Sequence, residues 1–338
     1  MSATDLPTVP LGTTGMDITR VGFGAWAIGG GDWHFTWGEQ DDRESVAAIR
    51  RAVDAGINWI DTAAVYGLGH SEQVVGRALR EMPPDQRPYV FTKGGLVGDL
   101  SDRNAKPRKI GDPSSLRREV DASLTRLAVE RIDLYQMHWP ADDDGTPLED
   151  YWGTFLDLRR EGKVRAVGLS NHEVHQLEAA ERLGHVETLQ PLFNLLERDA
   201  ATDVLPWCAD HDTGVIVYSP MASGLLTGAF SRERAESLRA EDWRSRDPAF
   251  RGERLTRNLE VADALVEVAA RHEVPVPSVA VAWTLAFRGV TGAIVGARRP
   301  EQVDGWLPAA HLDLDREDLD VLAATLEATS AGSGPTAP

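Results

Sequence analysis

The chain has 338 residues, 42% of them hydrophobic, enough for one large barrel core or two smaller domains. Its formal net charge is −18, from 35 basic and 53 acidic residues, a surface that repels nucleic acid and anionic membrane and makes neither an expected partner. The single cysteine, Cys208, excludes an internal disulfide and has no metal-ligand companions at usual spacing; Met1 to Asp5 lacks the basic and apolar regions of a signal peptide, and no apolar run would span a bilayer, so a cytoplasmic setting is expected.

Gly12-Thr13-Thr14-Gly15 is a turn between two short β-like pieces and predicts a hairpin ahead of the main fold. Val21 to Trp26 is the first expected barrel strand, and Gly29-Gly30-Gly31 opens a loop carrying Trp33 and Trp37. Helical periodicity starts near Asp42, a candidate N-cap, and runs through Val46, Ile49 and Val53 to Gly56. Ile57 to Asp61 reads as a strand that stops at a carboxylate, and a turn then presents Tyr66. A helix is expected from Ser71, a strand from Tyr89 to Lys93, a loop from Leu96 to Asp112 and a helix from Pro113 to Leu127. The next strand runs from Ile132 to His138, before the acidic loop Asp142-Asp143-Asp144-Gly145 and a helix over about Leu148 to Arg160.

Strands at Val164–Ser170, Val186–Asn194, Gly214–Ser219 and Gly292–Val295 alternate with helices at Glu173–Leu183, Asp203–His211, Asn258–His272 and Val279–Phe287. Phe230 to Arg257, with eight arginines among many acids, reads as a solvated loop that could fold over a cofactor. A helical piece from Pro300 and a last helix from Asp315 to Ala328 complete one domain over residues 1–329, and residues 330–338, rich in Ser, Gly, Ala and Pro, are expected to be a flexible tail. About eight strands alternating with helices suit a parallel (β/α)8 TIM barrel; a doubly wound open sheet is the alternative.

Gly22-Phe23-Gly24-Ala25-Trp26-Ala27 matches the dinucleotide pattern with alanine at its last position. That motif needs a helix starting at the glycines, and here more glycine and tryptophan follow, so the match is misleading. The stronger signal is that Asp61, Tyr66, Lys93 and His138 each stand just past a β-rich run, where parallel barrels carry catalytic groups. Singly, Asp61 reads as a cap, Lys93 as a surface amine and His138 as a core histidine. Together they form a proton-transfer set. A lysine ammonium beside the phenol is expected to lower its pKa, with Asp61 holding the lysine and His138 orienting a substrate oxygen.

In this order the motifs resemble the aldo-keto reductases, from Leu11-Gly12 to the segment around Gly296. They include Asp61-Thr62-Ala63, Tyr66-Gly67, Ser71-Glu72, Thr92-Lys93, Asp133-Leu134-Tyr135-Gln136, His138-Trp139, Gly168-Leu169-Ser170-Asn171, Gln190, Tyr218-Ser219-Pro220 and Gly224-Leu225-Leu226. Trp26 to Gly30, with Trp33 and Trp37, looks most like the bacterial branch of general aldehyde and sugar-related reductases. The resemblance implies NADP(H) bound across the C-terminal mouth of the barrel and reduction of a small-molecule carbonyl compound, with no metal required. It implies that Ser170, Asn171 and Gln190 hold the nicotinamide carboxamide and that Tyr218 stacks on the ring. It places Gly24, Ala25 and Trp26 at the cofactor, with Ser219, Pro220, Met221, Gly224 and Leu225 along the pyrophosphate.

Gly296, Arg298 and Gln302 match the adenosine-end segment, and an arginine beside a helix start suits a 2′-phosphate, hence NADPH over NADH. Many relatives carry Glu-Asn where this chain has Gly305-Trp306, so no adenine contact carries over there. Trp26, Trp33, Trp37, Leu68 and Trp139 are expected to rim an aromatic substrate pocket. Two other readings compete: an NADPH-binding accessory or redox-sensing subunit with little turnover, and a Schiff-base aldolase using Lys93.

Overall fold

The computed structural model describes residues 6–338, so the chain's start lies outside the described residues. A hairpin, β1 (Thr8–Pro10) with β2 (Asp17–Thr19), precedes the barrel. Eight parallel strands then close on themselves: β3 (Val21–Gly24), β4 (Trp59–Asp61), β5 (Tyr89–Gly94), β8 (Ile132–Met137), β9 (Val164–Ser170), β10 (Thr188–Gln190), β11 (Gly214–Tyr218) and β12 (Val290–Gly296). Closure pairs the last strand with the first, Ala293 against Val21 through Gly296 against Gly24. The barrel expected from the strand–helix alternation is therefore the fold, and the open-sheet alternative falls.

Helices α1 (Asp42–Asp54), α2 (His70–Arg80), α3 (Pro113–Leu127), α4 (Leu148–Arg160), α5 (Val174–Glu181) and α6 (Val204–Asp210) connect successive strands; α7 (Arg232–Glu236), α8 (Gly252–His272) and α9 (Val276–Leu285) lie between β11 and β12. After β12 come α10 (Pro300–Trp306) and α11 (Arg316–Thr329). The N-cap of α1 is Asp41, whose carboxylate accepts from the Arg43 amide at 2.7 Å, one residue earlier than the periodicity suggests. The α3 start follows its sequence closely: Asp112 accepts from the Ser115 amide at 2.8 Å, and Pro113 fills the first turn.

The apolar residues divide by facing. Most pack between strands and helices, whereas Leu11, Met16 and Ile18 of the hairpin fill the bottom of the barrel against Trp59, Phe91, Leu134, Ala166, Ile216 and Ile294. Gly22 belongs to this packing, not to a phosphate loop: a Cβ there would stand 2.1 Å from the Trp59 indole. No helix among the described residues is long and apolar enough to cross a membrane.

Three expectations differ. The Leu96–Asp112 stretch, read as loop, contains a two-stranded hairpin, β6 (Leu96–Val97) with β7 (Arg108–Lys109). The arginine-rich stretch is not a solvated loop. It forms α7, 3-10 turns at Trp243–Arg246 and Pro248–Phe250, and the start of α8, and it buries Phe230 and Phe250. Of residues 330–338, expected to be a flexible tail, Ala331, Ser333 and Gly334 are hydrogen-bonded to the domain. The buried Arg198 donates from its backbone amide to the Ser333 carbonyl at 3.0 Å and from its guanidinium to the carbonyls of Ala331 at 3.1 Å and Gly334 at 3.3 Å.

Candidate active site

Backbone bonds between strand ends bring the four polar residues together. At the C-terminal rim the Ala25 amide donates to Asp61 O, Thr62 to Phe91 O, Ala64 to Lys93 O and His138 to Gly94 O. Asp61, Lys93 and His138 are almost wholly buried, while Tyr66 keeps one side in the cleft above the barrel. Lys93 Nζ donates to Asp61 Oδ1 at 2.5 Å and to Thr62 O at 2.9 Å, and Gln190 Nε2 donates to Asp61 Oδ2 at 3.0 Å. The Lys93 ammonium lies 5.4 Å from the Tyr66 ring centroid, and the His138 ring meets Tyr66 edge-on at 5.8 Å.

Tyr66 leaves its short apolar strand through an unusual turn. Gly67, Leu68 and Gly69 all have positive φ (61°, 57° and 98°). Glycine is obligatory at 67, because a Cβ there would come within 1.9 Å of the Gly29 carbonyl oxygen. Ser71 secures the turn from below, its hydroxyl sharing a 2.9 Å hydrogen bond with Thr62 Oγ1 and donating to Ala25 O at 2.8 Å.

Burial dominates the electrostatics. It pushes the Asp61 carboxyl up and the Lys93 amine down, and the attraction between them opposes both shifts. It raises the Tyr66 phenol well above its ordinary value, with the charge of Asp61 adding to the effect. The net direction is therefore opposite to the lowering expected from Lys93, because burial of the phenol dominates and the Asp61 charge adds to it. His138 is pushed well below the usual imidazole range by burial and then by the Lys93 charge, and its Nδ1 has no hydrogen-bond partner among the described residues. The site therefore holds a protonated phenol, a neutral imidazole and a buried ion pair, a set suited to moving a proton to or from a substrate oxygen.

The family model for the aldo/keto reductase family matches residues 20–327. The chain belongs to the aldo-keto reductases. The aldo-keto reductase YhdN of Bacillus subtilis (strain 168) is 34% identical over 317 residues, covering 94% of this chain and 92% of that protein. The NADH-specific methylglyoxal reductase of Escherichia coli (strain K12) is 33% identical over 330 residues, covering 95% and 98%. The solved structure of the glycerol dehydrogenase AKR11B4 from Gluconobacter oxydans superposes with a TM-score of 0.87 at 36% identity, covering 99% of this chain and 98% of that one.

In this aldo-keto reductase a cleft of about 990 Å³ runs from Asp61 and Tyr66, past Tyr218, to Arg298, Gln302 and Trp306. Gly24, Ala25, Trp26, Gln190, Ser219, Pro220, Met221, Gly224 and Gly296 line it. Its acid–base residues at one end and its arginines at the other suit a dinucleotide. Ser170, Asn171 and Leu225 lie outside the lining. Leu225 is core; the Ser170 hydroxyl donates to Gln190 O at 2.8 Å. Asn171 donates to His138 O at 3.0 Å and accepts from the Tyr218 hydroxyl at 2.8 Å, so it ties the imidazole strand to the aromatic ring.

The expected substrate rim is only partly assembled. Trp26 and Trp37 line the cleft, and Trp26 stacks on Tyr66 with centroids 6.2 Å apart. Trp33 is buried beneath the Tyr66 turn with Ala63 and Val65, and so is packing. Leu68 faces a separate hollow beside Gly29 and Arg103, and Trp139 lies under the Lys109 ammonium at 4.9 Å. Trp243, not foreseen, stacks on Trp26 at 5.4 Å, and its amide donates to Thr36 O at 3.2 Å. Its neighbour Arg244 covers Trp37 at 4.6 Å and is held by Asp242 at 2.6 Å. Nothing in the arginine-rich composition singled this indole out.

Proposed function

We propose that this chain reduces the carbonyl group of an aldehyde or ketone with hydride from NADPH, and runs the reverse reaction on the alcohol. The observation that carries this reading is the Tyr66 phenol beside a buried Asp61–Lys93 pair in a cleft that also reaches Tyr218 and Arg298. A bound reduced nicotinamide would supply the hydride. Tyr66 holds the proton and gives it to the carbonyl oxygen as negative charge develops there. Lys93, 5.4 Å from the ring, stabilises the phenolate that remains, and Asp61 keeps the ammonium in place. Neutral His138 orients the oxygen. Tyr218 and the Gln190 amide, both in the cleft beside Asp61, suit the ring and carboxamide of the cofactor.

Arg298, at the outer end of the cleft, supports NADPH; one relative is by name NADH-specific, and the assay below compares both dinucleotides. The names of two relatives, one a methylglyoxal reductase and the other a glycerol dehydrogenase, support a small, oxygen-rich substrate. The test is a panel of aldehydes, ketones and sugars assayed with both cofactors. Turnover should appear with short aldehydes, and Tyr66→Phe should cut it by roughly 10²–10⁴-fold while leaving cofactor affinity unchanged. Near-parent turnover in Tyr66→Phe would remove the proton donor from this scheme; tight cofactor binding without turnover on any carbonyl would favour an accessory or redox-sensing subunit.

A further inference from the structure

We propose that Gln40 sets how strongly this chain prefers NADPH over NADH, by holding the Arg298 guanidinium on the loop that follows β3. The proposal rests on the reading of the cleft as a dinucleotide site. Arg298, just past β12, donates from Nε to Gln40 Oε1 at 2.7 Å, from one terminal nitrogen to Trp37 O at 3.2 Å and from the other to Glu39 O. Gln40 closes the pair in return, its amide donating to Arg298 O at 2.8 Å and to Ser45 Oγ at 3.0 Å. All three guanidinium nitrogens thus face oxygens of one short segment.

A 2′-phosphate is recognised by the arginine fork presented to two oxygens at once. Arg298 would have to leave this segment to present its fork. Glu39, Asp41 and Glu44 line the same end of the cleft and add negative charge that works against a phosphate. Arg299 offers little substitute, since it is largely exposed and has a 3.4 Å contact with Glu44. NADH has no 2′-phosphate and gains nothing from freeing Arg298. Trp37 O and Glu39 O are backbone acceptors that substitution cannot remove, whereas the Gln40 side chain can be removed or strengthened.

The experiment titrates NADPH and NADH by nicotinamide fluorescence at fixed salt against the full-length protein, Gln40→Ala and Gln40→Glu, with thermal midpoints recorded alongside. Gln40→Ala should raise the NADPH-over-NADH affinity ratio by roughly three- to tenfold, and Gln40→Glu, which adds a carboxylate partner for the guanidinium, should lower it by a similar factor. NADH affinity should hardly change in either. Adding Arg298→Ala to Gln40→Ala should abolish the gain. An unchanged ratio, or a ratio moving the same way in both variants, overturns the proposal. Failure of the unaltered protein to bind either dinucleotide would overturn the reading of the cleft itself, and this proposal with it.

Discussion

Replacing Lys93 by Met isolates what the buried ion pair contributes. The Lys93 side chain has no exposed surface, that of Asp61 is 3% exposed, and the two are 2.5 Å apart. Without the ammonium, Asp61 keeps amide partners such as Gln190 at 3.0 Å but no positive charge, in a pocket too dry to solvate a carboxylate. Breaking a buried pair from one side costs roughly 3–5 kcal/mol, chiefly because the surviving charge is uncompensated. Removing that charge as well, in Asp61→Asn with Lys93→Met, should return about 2 kcal/mol or more, since a neutral amide still accepts from Gln190. Urea unfolding followed by tryptophan fluorescence should order the midpoints as parent, then double variant, then Lys93→Met. Carbonyl reduction should be largely lost in both variants, because neither has an ammonium beside Tyr66. A double variant no more stable than Lys93→Met would show that the cost comes from lost packing, and the electrostatic account of the pair would be wrong.

Two further outcomes follow from the geometry. Gly67→Ala places a methyl 1.9 Å from the Gly29 carbonyl at a φ of 61°, so the Tyr66 turn must shift; turnover should drop at least about tenfold and stability by roughly 1–3 kcal/mol, and parent-like kinetics would contradict the proposed constraint. His172 is buried and neutral, with Nδ1 facing Ser170 O at 2.8 Å and Nε2 facing the Tyr151 hydroxyl at 2.9 Å, and burial lowers its pKa to about 4. Below pH ~6.5 the unfolded chain takes up a proton there that the folded chain refuses, so stability declines as pH falls from about 6.5 to 4, by roughly 3 kcal/mol from this group alone. His172→Gln should flatten the acid-side decline in urea midpoints by close to one proton's worth; an identical pH slope would sink the assignment.

The proposed catalytic positions were legible because a parallel barrel sets an apolar run before a polar residue at the rim, as at Asp61 and Lys93. Strand ends were less legible. The stretch from Val186 to Asn194 yields a strand of Thr188–Gln190 only, and its C-terminal end falls at Pro191, which has no amide to continue the ladder. Tryptophans were the weakest signal. An indole looks the same in sequence whether it lines a cleft, as Trp26 does, or fills the space beneath a turn, as Trp33 does. The partners of Arg298 lie some 258 residues away in sequence, beyond any local pattern, and the C-terminal segment docks through Arg198, whose burial no composition rule would suggest.

The closing seam between β3 and β12 also bears on how the chain is made. The plug at Leu11, Met16 and Ile18 and the strand Val21–Gly24 are synthesised well before Ile294 and the strand that completes the ring. Until then a nascent chain carries a partial ring with two bare edges, β3 on one side and β11 on the other, each able to pair with a neighbouring chain. A chain truncated between Tyr218 and Val290 would keep Asp61, Tyr66, Lys93 and His138 and still lack the strand that closes the ring.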